Sequence, residues 1–303
     1  MHIWQFLDGK PGHESQSSGL IHAFQGIGLN VNVSHILPPS RWRTLAQLAT
    51  RRFPFGDTLP TPDLLIGAGH KTHLAILAAQ RRHGGRSIVL MKPSLPSKLF
   101  DLCLIPDHDQ ADGANIITTR GVLNDIRAGG THLPTRTLIL LGGQSAHASW
   151  ADQTILNQVI QLAQSSPSKE FVLSTSRRTP DSFAQALGSL SLPNLAIHLA
   201  TNTPTGWVAQ QLAQSSEAWI SADSVSMVYE ALTAGVAVGI LQLPMKASSR
   251  VSRGLMHLID QHQVTTFEQW CDNKGNLPKP QKHLAEADRC AREIVSRWPT
   301  LQN

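Results

Sequence analysis

The sequence predicts an α/β protein of two Rossmann-like, parallel-sheet domains. Three observations carry that expectation. Strand-like runs alternate with helical ones through both halves, the pattern of right-handed strand–helix–strand crossovers. Glycine-containing loops sit between strand and helix at three places, where open parallel sheets bind their ligands. A length of 303 residues exceeds one ordinary core and suits two.

In the first half, Ile3 to Leu7, Val31 to Ile36, Leu64 to Ile66, Ser87 to Leu90 and Leu102 to Ile105 read as strands. They are short and largely apolar, as strands covered on both faces should be. Helical patterns lie between the first four, around Ser17 to Gln25, Arg41 to Thr50 and Thr72 to Arg82. The polar stretch Asn124 to Pro134 holds adjacent glycines and a proline and precedes a fresh strand–turn–helix start. It places a boundary between domains 1–133 and 134–280. Second-half strands are expected around Thr137 to Leu141, Phe171 to Ser174, Leu195 to Leu199, Ala218 to Ser221 and Val236 to Leu241. A last helix, about Gln281 to Trp298, lies in a segment 281–303 expected to pack back across the domains.

The second half turns on Ser221 to Gly235. Asp223 is placed as an N-cap and Gly235 as the residue that ends the helix. Val225, Val228, Tyr229 and Leu232 make one apolar stripe, while Asp223, Ser226, Met227 and Glu230 occupy the other side. A positive helix end, small hydroxyls and a carboxylate further in would hold a nucleotide diphosphate, Glu230 accepting from ribose hydroxyls. The same pattern also describes an ordinary helix whose polar face meets water.

Composition narrows the classes. Hydrophobic residues at 41% and charged ones at 16% describe a globular chain. Twenty-six Lys+Arg against 21 Asp+Glu give +5, a mild excess that suits an anionic substrate or membrane surface. It is too diffuse for nucleic acid, and no zinc-finger or RNA-binding signature accompanies it. Cys103, Cys271 and Cys290 are odd in number and far apart, which points to a reducing cytoplasm rather than a disulfide framework. No signal-peptide core forms before Asp8, and the apolar stretch Ala231 to Met245 is too short for a membrane span. A cytoplasmic protein is the expectation, with peripheral contact at the inner face of the cytoplasmic membrane as an option left open.

The three loops are Asp8-Gly9-Lys10-Pro11-Gly12-His13-Glu14-Ser15-Gln16, Gly67-Ala68-Gly69-His70-Lys71-Thr72-His73 and Gly142-Gly143-Gln144-Ser145-Ala146-His147. None completes a P-loop or a G-x-G-x-x-G fingerprint. Strand two ends in Ser34-His35, where a dinucleotide fold wants a ribose-binding acid, and Tyr229 lacks a lysine four residues on. A nicotinamide enzyme, such as a nucleotide-sugar epimerase, is the weaker reading.

With these loops and the helix after Asp223, the chain resembles a GT-B glycosyltransferase, whose two domains face each other across a cleft. More narrowly it resembles the mitochondrial-fission Elm family, whose bacterial members are described as glycosyltransferases, some tied to lipooligosaccharide outer-core synthesis. The marks are the first glycine loop, Leu90-Met91-Lys92-Pro93, Pro106-Asp107-His108-Asp109, Thr119-Arg120-Gly121, Gly142-Gly143, Thr175-Ser176-Arg177-Arg178-Thr179-Pro180 and Asp223-Ser224-Val225-Ser226-Met227. In the family pattern Asn usually precedes the loop glutamine; Ser15 stands here. The glycine loops and the Glu230 helix are also similar to those of the peptidoglycan N-acetylglucosaminyltransferase family.

The resemblance implies a nucleotide-sugar donor in the second domain and a glycan or lipid-linked acceptor against the first. For the diphosphate the expected groups are the Gly142, Gly143, Gln144 and Ser145 amides, Ser176, Ser224 and Ser226, and Arg177 or Arg178. His13 is the first candidate for the base, because histidine exchanges a proton near neutral pH. Asp8 is the alternative base or the group that orients His13. Gly9, Lys10, Gly12, Gln16, Gly69, His70 and Lys71 are expected on the acceptor side. Asp107-His108-Asp109 spells a D-x-D, but in a GT-B-like chain it reads as coincidence, and no obligatory metal or cofactor is expected. Arg41 to Phe55 is basic with aromatics at its ends, fit for an anionic membrane or simply a crossover helix in water. A GT-B-fold scaffold that has lost its chemistry and recruits protein partners is the reading from a different class.

Overall fold

The computed structural model describes residues 1–145, 148–244, 250–280 and 284–302. It divides into two compact units, Met1–Asp125 with Ala285–Asn303, and Ile126–Leu284.

In the first unit the strands are β1 His2–Phe6, β2 Asn32–Ile36, β3 Leu64–Ala68, β4 Arg86–Leu90, β5 Leu102–Pro106 and β6 Ile116–Thr119. The helices are α1 Pro11–Gly26, α2 Arg41–Thr50 and α3 His70–His83. All pairings are parallel, in the order β2-β1-β3-β4-β5-β6. Successive strand residues point to opposite faces, and the sequence fills both with apolar side chains. Ile3, Leu64, Ile66, Ile88 and Leu90 pack with Leu20 and Phe24 of α1. Trp4, Leu65 and Val89 pack with Phe53 and with Ala75 and Ile76 of α3 on the other face.

In the second unit the strands are β7 Leu133–Leu140, β8 Glu170–Ser174, β9 Leu195–His198, β10 Ser215–Ser221, β11 Ala237–Leu241 and β12 Thr265–Thr266. The helices are α4 Asp152–Ser165, α5 Asp181–Gly188, α6 Trp207–Gln214, α7 Val225–Ala234, α8 Arg250–Asp260 and α9 Phe267–Asp272. This sheet is also parallel, ordered β12-β11-β10-β7-β8-β9.

One expectation changes. The chain leaves the first unit after Asp125, earlier than residue 133, because Asn124 and Asp125 are held by α1. The Asn124 carbonyl lies so close to Gly19 that no Cβ would fit, and the Asp125 N–H donates to Ser15 Oγ at 3.3 Å. The last helix, α10 Glu286–Arg297, completes the first core, where Cys290, Ile294 and Val295 join the Ile3–Leu20 cluster. Its expected start at Gln281 to His283 lies outside the described residues.

Candidate functional site

Each sheet has one point where strand order reverses direction from its starting strand, and loops there part to leave a crevice. In the first sheet this is between β1 and β3, in the second between β7 and β10. The first and third glycine loops follow β1 and β7, the second follows β3, and Asp223 follows β10. Topology therefore brings the sequence-selected loops together in pairs.

At the first reversal, Asp8 leaves β1 and His13 stands in the first turn of α1. The helix starts at Pro11, whose fixed φ and missing N–H suit a first helical position. His13 Nδ1 meets Asp8 Oδ2 at 2.8 Å; the Asp8 side chain is fully buried and that of His13 is 20% exposed. The Lys10 N–H donates to Asp8 Oδ1 at 3.1 Å, and the Gly9 N–H to Glu14 Oε1 at 3.1 Å. A carboxylate that accepts the Nδ1 proton leaves the Nε2 lone pair for an incoming hydroxyl. Gly69 makes the arrangement possible: its φ is +85°, and a Cβ there would overlap both His13 and Asp8.

Asp8, Gly9, His70 and Lys71 line a cavity of ≈720 Å³, along with Arg41 and His73, which were not on the expected acceptor side. Gln16 is buried and donates to Met91 Sδ at 3.5 Å, while Lys10 and Gly12 are exposed and outside that lining. Burial, with His70 adding to it, lowers the His73 pKa to about 4. Met91, in the family mark after β4, has φ +68°, a left-handed conformation costly for a non-glycine residue. The neighbouring Lys92 Nζ donates to the Asp109 carbonyl at 3.0 Å, so Asp107-His108-Asp109 is a 3-10 turn braced by a lysine. Among the described residues no cluster of three His, Cys, Asp or Glu could hold a metal.

At the second reversal Asp223 departs from the N-cap role. Ser224 caps α7 without a side-chain bond, and the Asp223 carboxylate is fully buried. It accepts from the Gly143 N–H at 3.0 Å and from Ser221 Oγ at 2.7 Å, and pairs with Arg178 at 2.9 Å. The Gly142 N–H donates to Ser221 Oγ at 2.7 Å and the Gln144 N–H to the Arg178 carbonyl at 3.2 Å. Ser176 Oγ donates to the Gly142 carbonyl at 2.6 Å, and Thr179 reaches the same oxygen. Glycine is required here because a Cβ on Gly142 would strike Asp223 and one on Gly143 the Arg178 backbone.

The Gly142, Gly143 and Gln144 amides are therefore spent on internal bonds, and Ser176, Arg178 and Asp223 brace the loop. For the three amides and Ser176 Oγ a positioning role replaces selection as phosphate ligands, since a hydrogen already donated inside the protein is not free for a ligand, while Arg178, 42% exposed, makes its contacts through Nη1. Ser145 Oγ accepts from the Ala148 N–H at 3.1 Å; Ala146 and His147 lie outside the described residues. Arg177 is exposed, as is Ser226, and the Val225 and Ser226 amides have no protein acceptor among the described residues. Val228, Tyr229 and Leu232 pack inward, and Gly235 at φ +82° ends α7. Glu230, one turn beyond Ser226 and Met227, keeps partial solvent access, yet burial pushes its pKa up to about 7. Among the described residues no donor reaches its carboxylate.

Sequence reasoning did not single out Ser221 or Thr179 as site residues. Ser221 ends a strand and Thr179 lies in the Thr-Ser-Arg-Arg-Thr mark, so their small hydroxyls at strand-end loops were the available signal.

The family model described as Mitochondrial fission ELM1 matches residues 11–298. An uncharacterised protein of Rickettsia prowazekii (strain Madrid E) is 23% identical, over 89% of this chain and 91% of its own length. Among solved structures, a candidate UDP-N-acetylglucosamine 2-epimerase from Listeria monocytogenes superposes with a TM-score of 0.63 at 14% identity, covering 99% of this chain and 97% of that one. The glycotransferase of kitacinnamycin gives 0.54 at 14% identity, over 98% of each chain. The UDP-GlcNAc 2-epimerase of Neisseria meningitidis, bound to UDP-GlcNAc, gives 0.55 at 11%, over 99% and 100%. At such identities these structures speak for the fold alone. The chain belongs to the mitochondrial fission ELM1 family, on the two-sheet α/β fold of GT-B glycosyltransferases and their epimerase relatives.

Proposed function

We propose that the protein is a glycosyltransferase that moves a sugar from a nucleotide diphosphate donor, bound by the second unit, to a hydroxyl of a glycan or lipid-linked acceptor, bound by the first. The observation that carries this reading is Glu230. A desolvated carboxyl without a partner among the described residues, on a helix whose first amides have no acceptor among them either, suits a ribose diol beside a diphosphate. Arg177 and Ser226 supply further contacts to the diphosphate, and Ser224 and Met227 border them. On the acceptor side, His13 Nε2 takes the hydroxyl proton as that oxygen bonds to the anomeric carbon. The bond from that carbon to the diphosphate breaks, and the electron pair leaves with the nucleotide diphosphate. Asp8 holds His13 in the tautomer and stabilises the imidazolium that forms. Arg41, Trp42 and Arg43 are exposed on α2, Trp42 at 82%, and there we place any contact with an anionic membrane.

Epimerisation of the donor sugar is the second reading, favoured by the likeness to the Listeria and Neisseria structures. Product analysis separates the two. Uridine, guanosine, cytidine and thymidine diphosphate sugars are screened by thermal shift, and the stabilising ones are followed by NMR with and without acceptor glycans. Transfer predicts free nucleotide diphosphate only when acceptor is present. A new sugar nucleotide formed without acceptor would establish the epimerase instead, and no stabilising nucleotide at all would favour a non-catalytic scaffold.

A further inference from the structure

The ≈720 Å³ cavity of the first unit joins two chemistries in its lining. Leu37, Pro38, Pro39, Leu74 and Leu95 are apolar, and Leu37 is 67% exposed. Arg41 and Lys71 are exposed cations with no carboxylate partner among the described residues. Asp8 is the one acid in the lining, and it is committed to His13 and the Lys10 amide. His73 adds a hydrogen-bonding group to the same lining. It is only 3% exposed, with Nδ1 at 3.2 Å from Ser94 Oγ and its ring edge-on to Phe100. Its Nε2 has no protein partner among the described residues. Burial keeps the ring neutral at physiological pH. Nε2 is not among the buried side-chain atoms left without a partner, so the cavity it lines reaches it.

We propose that this cavity binds the acceptor of the transfer reaction through an anionic group, phosphate or carboxylate, carried on an apolar chain. Arg41 and Lys71 supply the counter-charge and His73 Nε2 a hydrogen bond. The apolar chain lies along Leu74, Leu95 and the Leu37–Pro39 segment. The proposal rests on the acceptor reading above and specifies its class: an anionic amphiphile, whose hydroxyl comes to His13 beside Asp8. Two unpaired cations would be idle against a neutral sugar, and the apolar wall would be idle against a free sugar phosphate.

Calorimetric titration of the full chain tests it with three probes: dodecyl phosphate below its micelle concentration, dodecyl maltoside and glucose 1-phosphate. Dodecyl phosphate should saturate one site while dodecyl maltoside does not. Arg41→Ala, Lys71→Ala and His73→Phe should each weaken it about tenfold or more. Nucleotide-sugar binding to the second unit, unchanged in the variants, certifies their fold. Glucose 1-phosphate binding as tightly as dodecyl phosphate would overturn the amphiphile in favour of a soluble anionic acceptor. No dodecyl phosphate binding, or binding indifferent to all three substitutions, would overturn the site. If nucleotides fail to bind while dodecyl phosphate behaves as stated, the donor reading falls and this one stands; the variants' folding is then checked by circular dichroism.

Discussion

Replacing Glu230 by glutamine should make the protein more stable and a poorer binder of its donor. Burial moves this carboxyl from 4.5 to about 7, a displacement worth roughly 3 kcal/mol at 1.36 kcal/mol per unit and discounted to about 2–3 for its remaining solvent contact. Because the folded-state value is raised, the folded protein binds the proton more tightly than the unfolded chain between these values. Stability therefore falls as pH climbs from 4.5 to 7 and stays low above. Glutamine abolishes that dependence. At pH 8 Glu230→Gln should exceed the parent by about 2–3 kcal/mol, on the order of 5 °C in Tm, while at pH 5 the gap should shrink below about 1 kcal/mol. The lost charged hydrogen bonds to ribose should weaken nucleotide binding by about 10–100-fold. Scanning calorimetry at both pH values, with and without nucleotide, reads all three quantities. A variant less stable at pH 8, or a gap that ignores pH, would refute the reasoning, because it would mean the carboxylate already has partners in the folded protein.

His13→Ala should lower kcat by about 10²–10⁴ and leave nucleotide affinity unchanged, read by steady-state kinetics beside calorimetry. Gly69→Ala puts a Cβ on a residue at φ +85° and against His13 and Asp8. It should cost about 1–3 kcal/mol in urea unfolding, and combined with His13→Ala it should lower turnover little further. Asp223→Ala leaves the Gly143 N–H without its acceptor, while Arg178, 42% exposed, keeps the Gly143 and Gln144 carbonyls, so a loss of about 1–3 kcal/mol is expected. Lost nucleotide affinity at unchanged stability would instead mean that Asp223 touches the ligand.

The strands were legible because parallel strands buried on both faces leave uninterrupted apolar runs, and Leu64–Ala68 or Ala237–Leu241 needs no context to be recognised. The edge strand Ile116–Thr119 and the two-residue Thr265–Thr266 escaped, since short, threonine-bearing edges lack that signature. The first turns of α1 were hidden by Gly12 and by a polar face whose partners are remote in sequence. Of the site, the loops and the Asp8–His13 juxtaposition follow from local order and sheet position. Asp223 does not. Its carboxylate binds an amide 80 residues away, and a short-range pattern that favours an N-cap has no knowledge of that competitor. The burial that perturbs Glu230 and His73 is likewise tertiary, so their residue types were visible in the sequence and their protonation was not.

The most direct measurement of the central claim is calorimetric titration of wild-type protein and Glu230→Gln with the four nucleoside diphosphate sugars at pH 8. One nucleotide should bind the wild type at a single site, and the glutamine variant about 10–100-fold more weakly. Equal affinities in the two proteins, or no binding to either, would contradict a donor held at the head of α7.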